Sequence, residues 1–189
     1  MLPNPLHPAV VHFPIVFAFL LPLFALGALL AIRKGARPLR AWSLPLGLAA
    51  ALTMSSWVAV QTGEGEGERV ERVVADQPLD SHEESAELFL TLSGVLLLIA
   101  AVGLAPGLIG RAGRVTAALG AVALVVTAAN VGHSGGELVY RHGAASAYAP
   151  ATGNSVAGRN ADRNSTAGDA DANTTSAASR VEVDGNANR

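Results

Sequence analysis

The chain has 189 residues, of which 50% are hydrophobic, and a formal net charge of −2 at pH 7. It contains no cysteine, which excludes disulfides, thiolate-bound iron–sulfur clusters, c-type haem attachment and cysteine-ligated zinc. The weak negative charge gives no indication of nucleic acid as a partner.

Four long apolar runs without Asp, Glu, Lys or Arg dominate the first 131 residues. They cover residues 10–32, 42–60, 88–105 and 115–131. At about 1.5 Å per residue the longest spans about 34 Å and the shortest about 25 Å, against a hydrocarbon core of about 30 Å. Backbone groups in lipid must pair within their own segment, which requires helices. The predicted fold is therefore all-α, a polytopic membrane four-helix bundle.

Lysine and arginine at the helix ends predict the orientation of this bundle. The first and third connections carry six positive charges, at Arg33, Lys34, Arg37, Arg40, Arg111 and Arg114. The other loops carry three, at Arg69, Arg72 and Arg141. The positive-inside rule then puts the basic connections in the cytoplasm and both termini outside a plasma membrane. The lipid bilayer is the first expected partner.

The third helix has a recognisable start in Ser81-His82-Glu83-Glu84, a capping box that predicts a helix over 82–105. The preceding TGEGEGERVERV is glycine-rich and acidic, which indicates a solvated connection. His82 shares a helix face with Phe89 and Ser93, and this face is expected to point into the bundle.

The fourth helix is predicted over 114–131. A stripe of small or polar residues in this helix leads toward His133 and is interpreted as a second inward face, formed by Thr116, Gly120, Ala123, Thr127 and Asn130. From residue 146 the chain consists mainly of Ala, Asn, Asp, Ser, Thr and Gly, which cannot bury enough surface to fold. Residues 1–145 are thus predicted to be the transmembrane domain and residues 146–189 a disordered tail.

All five histidines fall on one side of the predicted bundle, because an even number of crossings keeps both termini and the middle connection together. They are His7, His12, His82, His133 and His142. Imidazole is the usual protein ligand for haem iron and for other transition metals. His7 and His142 are interpreted as solvated or capping residues, which leaves three candidates.

The preferred interpretation is one b-type haem near the outer face. His12 and His133 are its first-choice axial ligands and His82 the next, since imidazoles from facing helices can approach one iron from opposite sides. His12 is expected to lie a turn inside the first helix, where an ionisable residue is costly unless functional. Electrons would pass between an extracytoplasmic redox protein and a carrier such as a quinone.

Two alternatives stay open. One is a non-haem transition-metal site built from histidines and one carboxylate, with the ligands His12, His82, His133, Glu137 and His142. The other is a structural or assembly subunit that binds no cofactor. No catalytic residues are assigned, and a redox or structural membrane component is favoured over a stand-alone enzyme.

Two motifs carry a resemblance to a known family. HPAVVHFP near the N-terminus and GHSGGELVYRHG after the fourth run, with Thr62-Gly63 closing the second run, resemble a prokaryotic family of four-helix predicted membrane proteins of unknown function. The resemblance covers about residues 5–145. It implies a polytopic membrane domain, in related chains sometimes joined to Rieske-type or c-type cytochrome modules. The absence of cysteine means that any such redox partner is a separate protein.

Overall fold

The computed structural model of the chain describes residues 5–149, and within this range its regular structure consists of helices without any strand. The helices are α1 (His7–Val10), α2 (His12–Arg33), α3 (Pro38–Val70), α4 (Asp76–Val102), α5 (Gly107–Tyr140) and the 3₁₀ helix η1 (Ala144–Tyr148). Four helical stretches, α1 with α2 and then α3, α4 and α5, are long and apolar enough to cross a membrane. The predicted all-α membrane bundle is confirmed.

The four long helices pack in a ring in which each contacts the next along the chain and α5 returns to α2. The core is rich in alanine, including Ala18, Ala25, Ala49, Ala117 and Ala121. Small side chains let helices approach closely in lipid. Many of the large apolar side chains face outward, as at Leu23, Leu30, Met54, Leu98, Leu119 and Val126. The bundle therefore exposes many large side chains to the bilayer and packs largely through small residues, with a few large ones such as Trp42 and Leu52 in the core.

The two ends of the bundle differ, and each is named here by its residues. The basic end contains the connections 34–37 and 103–106 and the helix ends beside them, up to residues 42 and 114 and back to residue 100. The histidine end contains residues 5–12, the connection 71–75 with the helix ends on either side of it (residues 60–87), and residues 131–149.

Three helices run further at the histidine end than the sequence predicts. α3 continues to Val70, about 15 Å beyond Val60, so the predicted solvated connection shrinks to residues 71–75. The predicted start of the third helix at His82, with Ser81 as its cap, is wrong, because α4 begins at Asp76 and Ser81 lies inside it. α5 likewise starts earlier than predicted and ends later, at Tyr140.

Long-range packing explains these extensions. A small second core at the histidine end joins α3, α4, α5 and η1 through Val70, Val74, Leu79, Leu138 and Ala144. Burying these side chains stabilises helical turns whose own sequence contains Gly63, Gly65 and Gly67 and is therefore a weak helix former. The ordered structure also reaches Tyr148, three residues into the segment predicted to be a disordered tail. The rest of that prediction, from residue 150, lies outside the described residues.

Candidate ligand-binding site at the histidine end

A cavity of about 460 Å³ lies at the histidine end. Its walls come from the N-terminal segment, α3, α4, α5 and η1, and include His7, Gly63, Glu66, Gly67, Val70, Leu79, His82, Glu83, Gly135, Leu138 and Tyr148. The volume is within the range of about 300–1,000 Å³ that is typical of small-molecule sites. Mostly apolar walls with a few polar groups are also typical of such sites.

His7 forms part of this wall, so its interpretation as a solvated residue is wrong. The ring is half-buried, and its Nδ1 lies 2.8 Å from the carbonyl oxygen of Ala59 and 3.4 Å from the hydroxyl of Thr62. A Cβ at Gly63 would lie 3.1 Å from the Cε1 atom of His7. The glycine therefore makes room for the ring against α3.

His82 reaches the same cavity from α4. Its Nδ1 lies 2.8 Å from the hydroxyl of Ser134 on α5, and that hydroxyl also lies 3.0 Å from the carbonyl oxygen of Val131. A Cβ at Gly135 would lie 3.0 Å from the Cε1 atom of His82. Phe89 and Ser93 below it are buried, which confirms the predicted inward face of α4.

The structure brings His7 and His82 together. Their ring centroids lie 6.4 Å apart, and the ring planes are nearly perpendicular at 84°. The Nε2 atoms make no hydrogen bond within residues 5–149. In that same range no buried side-chain nitrogen or oxygen is left without a partner. Both Nε2 atoms are therefore accessible, on rings that line one cavity.

The first-choice candidates from the sequence lie elsewhere. The His12 side chain is exposed, with Nδ1 at 3.3 Å from the carbonyl oxygen of Ala9 in its own turn. The His133 side chain is 76% exposed, and its Nε2 lies 3.5 Å from Glu137. Glu137 also pairs with Arg141 at 2.6 Å along the same helix face, and His142 is exposed. Of the three predicted haem ligands, only His82 faces the cavity.

The helical phase of α5 explains the position of His133. The predicted inward stripe is wrong by about one residue, because the buried positions are Ala117, Ala121, Leu124 and Ala128. One residue turns a helix by about 100°. His133 consequently points away from the bundle while Gly135 faces His82.

No group of three or more His, Cys, Asp or Glu side chains in residues 5–149 is arranged to hold a metal ion. The five ligands of the non-haem alternative are therefore not assembled. What the structure assembles is a pair of imidazoles.

Glu66 links the two chain segments that cover the cavity. One carboxylate oxygen accepts hydrogen bonds from the backbone N–H groups of Leu6 and His7, at 2.6 and 3.2 Å. The other accepts from the phenol of Tyr148 at 2.8 Å. Arg69 lies 5.3 Å from the centre of the Tyr148 ring. Burial, together with the hydrogen bond to Glu66, raises the pKa of Tyr148 to about 12.

Sequence reasoning missed His7, although a signal was present. A glycine on a helix face that is otherwise packed makes room for something large, and Gly63 and Gly135 both do so for a ring. Each glycine packs against a histidine from a distant segment of the chain, and the spacing of residues within one helix does not indicate such a long-range contact.

The fold defines a polytopic integral membrane protein with a ligand-sized cavity at one end of a four-helix bundle. Residues 3–147 match the family described as predicted membrane protein (DUF2231), and the chain belongs to that family. The family predicted from the two motifs is thus confirmed. Comparison with curated proteins and with solved structures gave no match.

Proposed function

We propose that this membrane protein binds one b-type haem in the cavity at the histidine end, with His7 and His82 as its axial ligands. The observation that carries the proposal is the pair of imidazole rings, on different segments of the chain, whose centroids lie 6.4 Å apart. Metal–imidazole bonds of about 2.0–2.1 Å put two opposed ligating nitrogens about 4 Å apart, and the ring centres lie farther back on each side. The observed separation suits a single metal centre between the rings.

The surroundings of the two rings support the same proposal. Histidines that bind metals usually donate their other ring N–H to a backbone carbonyl or another fixed acceptor, as Ala59 and Ser134 would provide here. Val70, Leu79 and Leu138 help to make the walls of the cavity mostly apolar, which suits an apolar macrocycle.

Haem also suits a pair of ligands better than a free metal ion does. The macrocycle supplies the remaining ligands of the iron, so two imidazoles complete its coordination. A transition-metal ion without a macrocycle is usually held by at least three protein ligands. The absence of such a group in residues 5–149 favours haem over the non-haem alternative.

The proposed role is one-electron transfer at the outer face of a plasma membrane. Bound haem would supply the redox chemistry, while His7 and His82 hold the iron and Glu66 fixes the covering segments. The orientation follows from the excess of Lys and Arg at the basic end, which favours the cytoplasm for that end. The expected partner is an extracytoplasmic redox protein or a quinone in the outer leaflet.

An absorbance scan of purified protein, supplied with haem and recorded with and without dithionite, tests the ligand pair. His7→Ala and His82→Ala should each abolish or shift the haem spectrum. His12→Ala and His133→Ala are matched controls that should leave it unchanged, because both side chains are exposed. A wild-type protein without a haem spectrum, or a spectrum lost only in the controls, would overturn the proposal.

The proposed orientation has its own test. The chain has no cysteine, so single cysteines at Ala36 and Ala75 can be labelled without background. Both positions are exposed, at the basic and histidine ends respectively. In sealed cells only the cysteine at position 75 should react with an impermeant reagent. Labelling at position 36 alone would show that the protein has the opposite orientation.

A further inference from the structure

We infer that Ser134 is a positioning residue that holds His82 with its proton on Nδ1, so that Nε2 presents a lone pair to the cavity. The role assigned to this lone pair rests on the proposed function. The protonation pattern itself follows from hydrogen bonding alone.

Counting protons identifies the donor in each contact of Ser134. The hydroxyl has a single proton, and it contacts both the carbonyl of Val131 at 3.0 Å and Nδ1 of His82 at 2.8 Å. A carbonyl oxygen can only accept, so the hydroxyl proton satisfies Val131. The hydroxyl oxygen then accepts from an Nδ1–H group of His82, and both contacts become hydrogen bonds.

The opposite tautomer satisfies fewer groups. If Ser134 donated to Nδ1, the contact with Val131 would bring two oxygens together without a proton between them. The ring proton would then sit on Nε2, which has no acceptor within residues 5–149.

His7 reaches the same protonation pattern by a different route. Its Nδ1 lies 2.8 Å from the carbonyl oxygen of Ala59, and since that oxygen can only accept, Nδ1 carries the proton. Thr62 donates to the same carbonyl at 2.9 Å. Both rings of the pair thus keep Nε2 unprotonated, which is the state in which imidazole binds a metal.

Substitution of Ser134 can change the hydrogen bond that fixes the tautomer of His82. The acceptor for His7 is a backbone carbonyl, which substitution cannot remove, whereas the acceptor for His82 is a side chain. Gly135 beside it keeps the ring close to α5, because a Cβ there would meet Cε1. The serine and the glycine together define where the His82 ring lies and which nitrogen it offers.

The tautomer can be measured without any haem. Protein labelled with ¹⁵N-histidine is studied by NMR at a pH about two units above the ordinary imidazole pKa of about 6.5, so that the rings are neutral. His82→Gln assigns the His82 signals. We expect a one-bond N–H coupling at Nδ1 of His82 in the wild type and in Ser134→Thr, and a mixture of tautomers in Ser134→Ala. A wild-type proton on Nε2, or no change in Ser134→Ala, would overturn the inference.

Haem titration tests the positioning role separately. Loss of an outer-shell partner typically lowers metal affinity about 10–100-fold, which is the expected effect of Ser134→Ala on haem binding. Ser134→Thr should restore most of the affinity because it keeps the hydroxyl. A wild-type protein that shows the Nδ1 proton but binds no haem would refute the proposed function alone. Unchanged haem affinity in Ser134→Ala would refute the positioning role alone.

Discussion

The basic end and the histidine end both rely on glycine, but with different partners. At the basic end a Cβ on Gly113 would lie 2.8 Å from the backbone nitrogen of Gly103, so the glycines bring two helices into backbone contact. At the histidine end Gly63 and Gly135 each face an imidazole ring instead. A glycine in a membrane helix therefore marks a position where another group comes close. If that group is a neighbouring backbone, the glycine serves helix packing, and if it is an imidazole ring, the glycine belongs to the candidate site.

The polar groups at the two ends also differ in whether they are fully paired. At the basic end Trp42 donates its indole N–H to the carbonyl oxygen of Ala100, and buried Arg114 donates to that of Gly103. The indole adds a second hydrogen bond to the carbonyl of Ala100, which also accepts from the backbone N–H of Gly103 at 3.0 Å, and Arg114 pairs the carbonyl of Gly103, which follows the last residue of α4. The histidine pair keeps an accessible ring nitrogen on each member. The polar groups of the basic end are thus used for stability, whereas those of the histidine end include ring nitrogens that stay open to a cavity.

Trp42→Ala should produce the largest of the predicted effects, and this effect should be limited to the free energy of unfolding. Trp42 is 1% exposed, and removing a buried tryptophan side chain typically costs about 3–5 kcal/mol of unfolding free energy. Trp57→Ala is the matched control, because Trp57 is 51% exposed. Denaturant unfolding in mixed micelles measures both. Equal losses of stability in the two variants would contradict the assigned core.

Arg114→Ala should be the next largest effect. The arginine is 7% exposed and bonds the end of α4, so its loss leaves a buried carbonyl without a donor at a cost of about 1–3 kcal/mol. Arg111→Ala, one turn earlier and exposed, removes the same charge from the same end. If both variants unfold alike, Arg114 acts only through its charge.

Gly135→Ala should separate ligand binding from stability. The added methyl would meet the His82 ring at 3.0 Å, so we expect haem affinity to fall by about tenfold or more, in the range reported for disturbed metal ligation. Gly136→Ala is the neighbouring control, since nothing lies within 4 Å of its added Cβ. That control should gain about 0.5–1 kcal/mol from higher helix propensity and keep its affinity. Equal haem affinities in the two variants would argue against a site at His82.

Tyr148 should give the smallest effect, seen only at high pH. The neutral phenol donates to Glu66, whereas a phenolate would face a carboxylate, so the folded pKa of about 12 lies above the ordinary value of about 10. The stabilisation is complete below pH about 10 and is lost as the pH rises through about 12. The phenolate absorbance that disappears in Tyr148→Phe should titrate near 12. A midpoint near 10 would mean that η1 does not pack as described.

How much of this could be predicted from the sequence depends on the range of the interactions. The four membrane helices and the inward face of His82 follow from local composition and helical spacing, and both are confirmed. The extensions to Val70 and from Asp76 depend on packing around Leu79 and Leu138, which lie far apart in the chain. The proximity of His7 and His82 depends on those extensions, so ranking histidines by predicted depth selected His12 instead.

The most direct test of the central claim is the haem spectrum of His7→Gly with and without added imidazole. If His7 and His82 share one iron, the variant should lose the two-imidazole spectrum of the wild type, and free imidazole should restore it by entering the space left by the ring. A wild-type spectrum in His7→Gly without imidazole would contradict the account, because the iron would then need no ligand from the N-terminal segment.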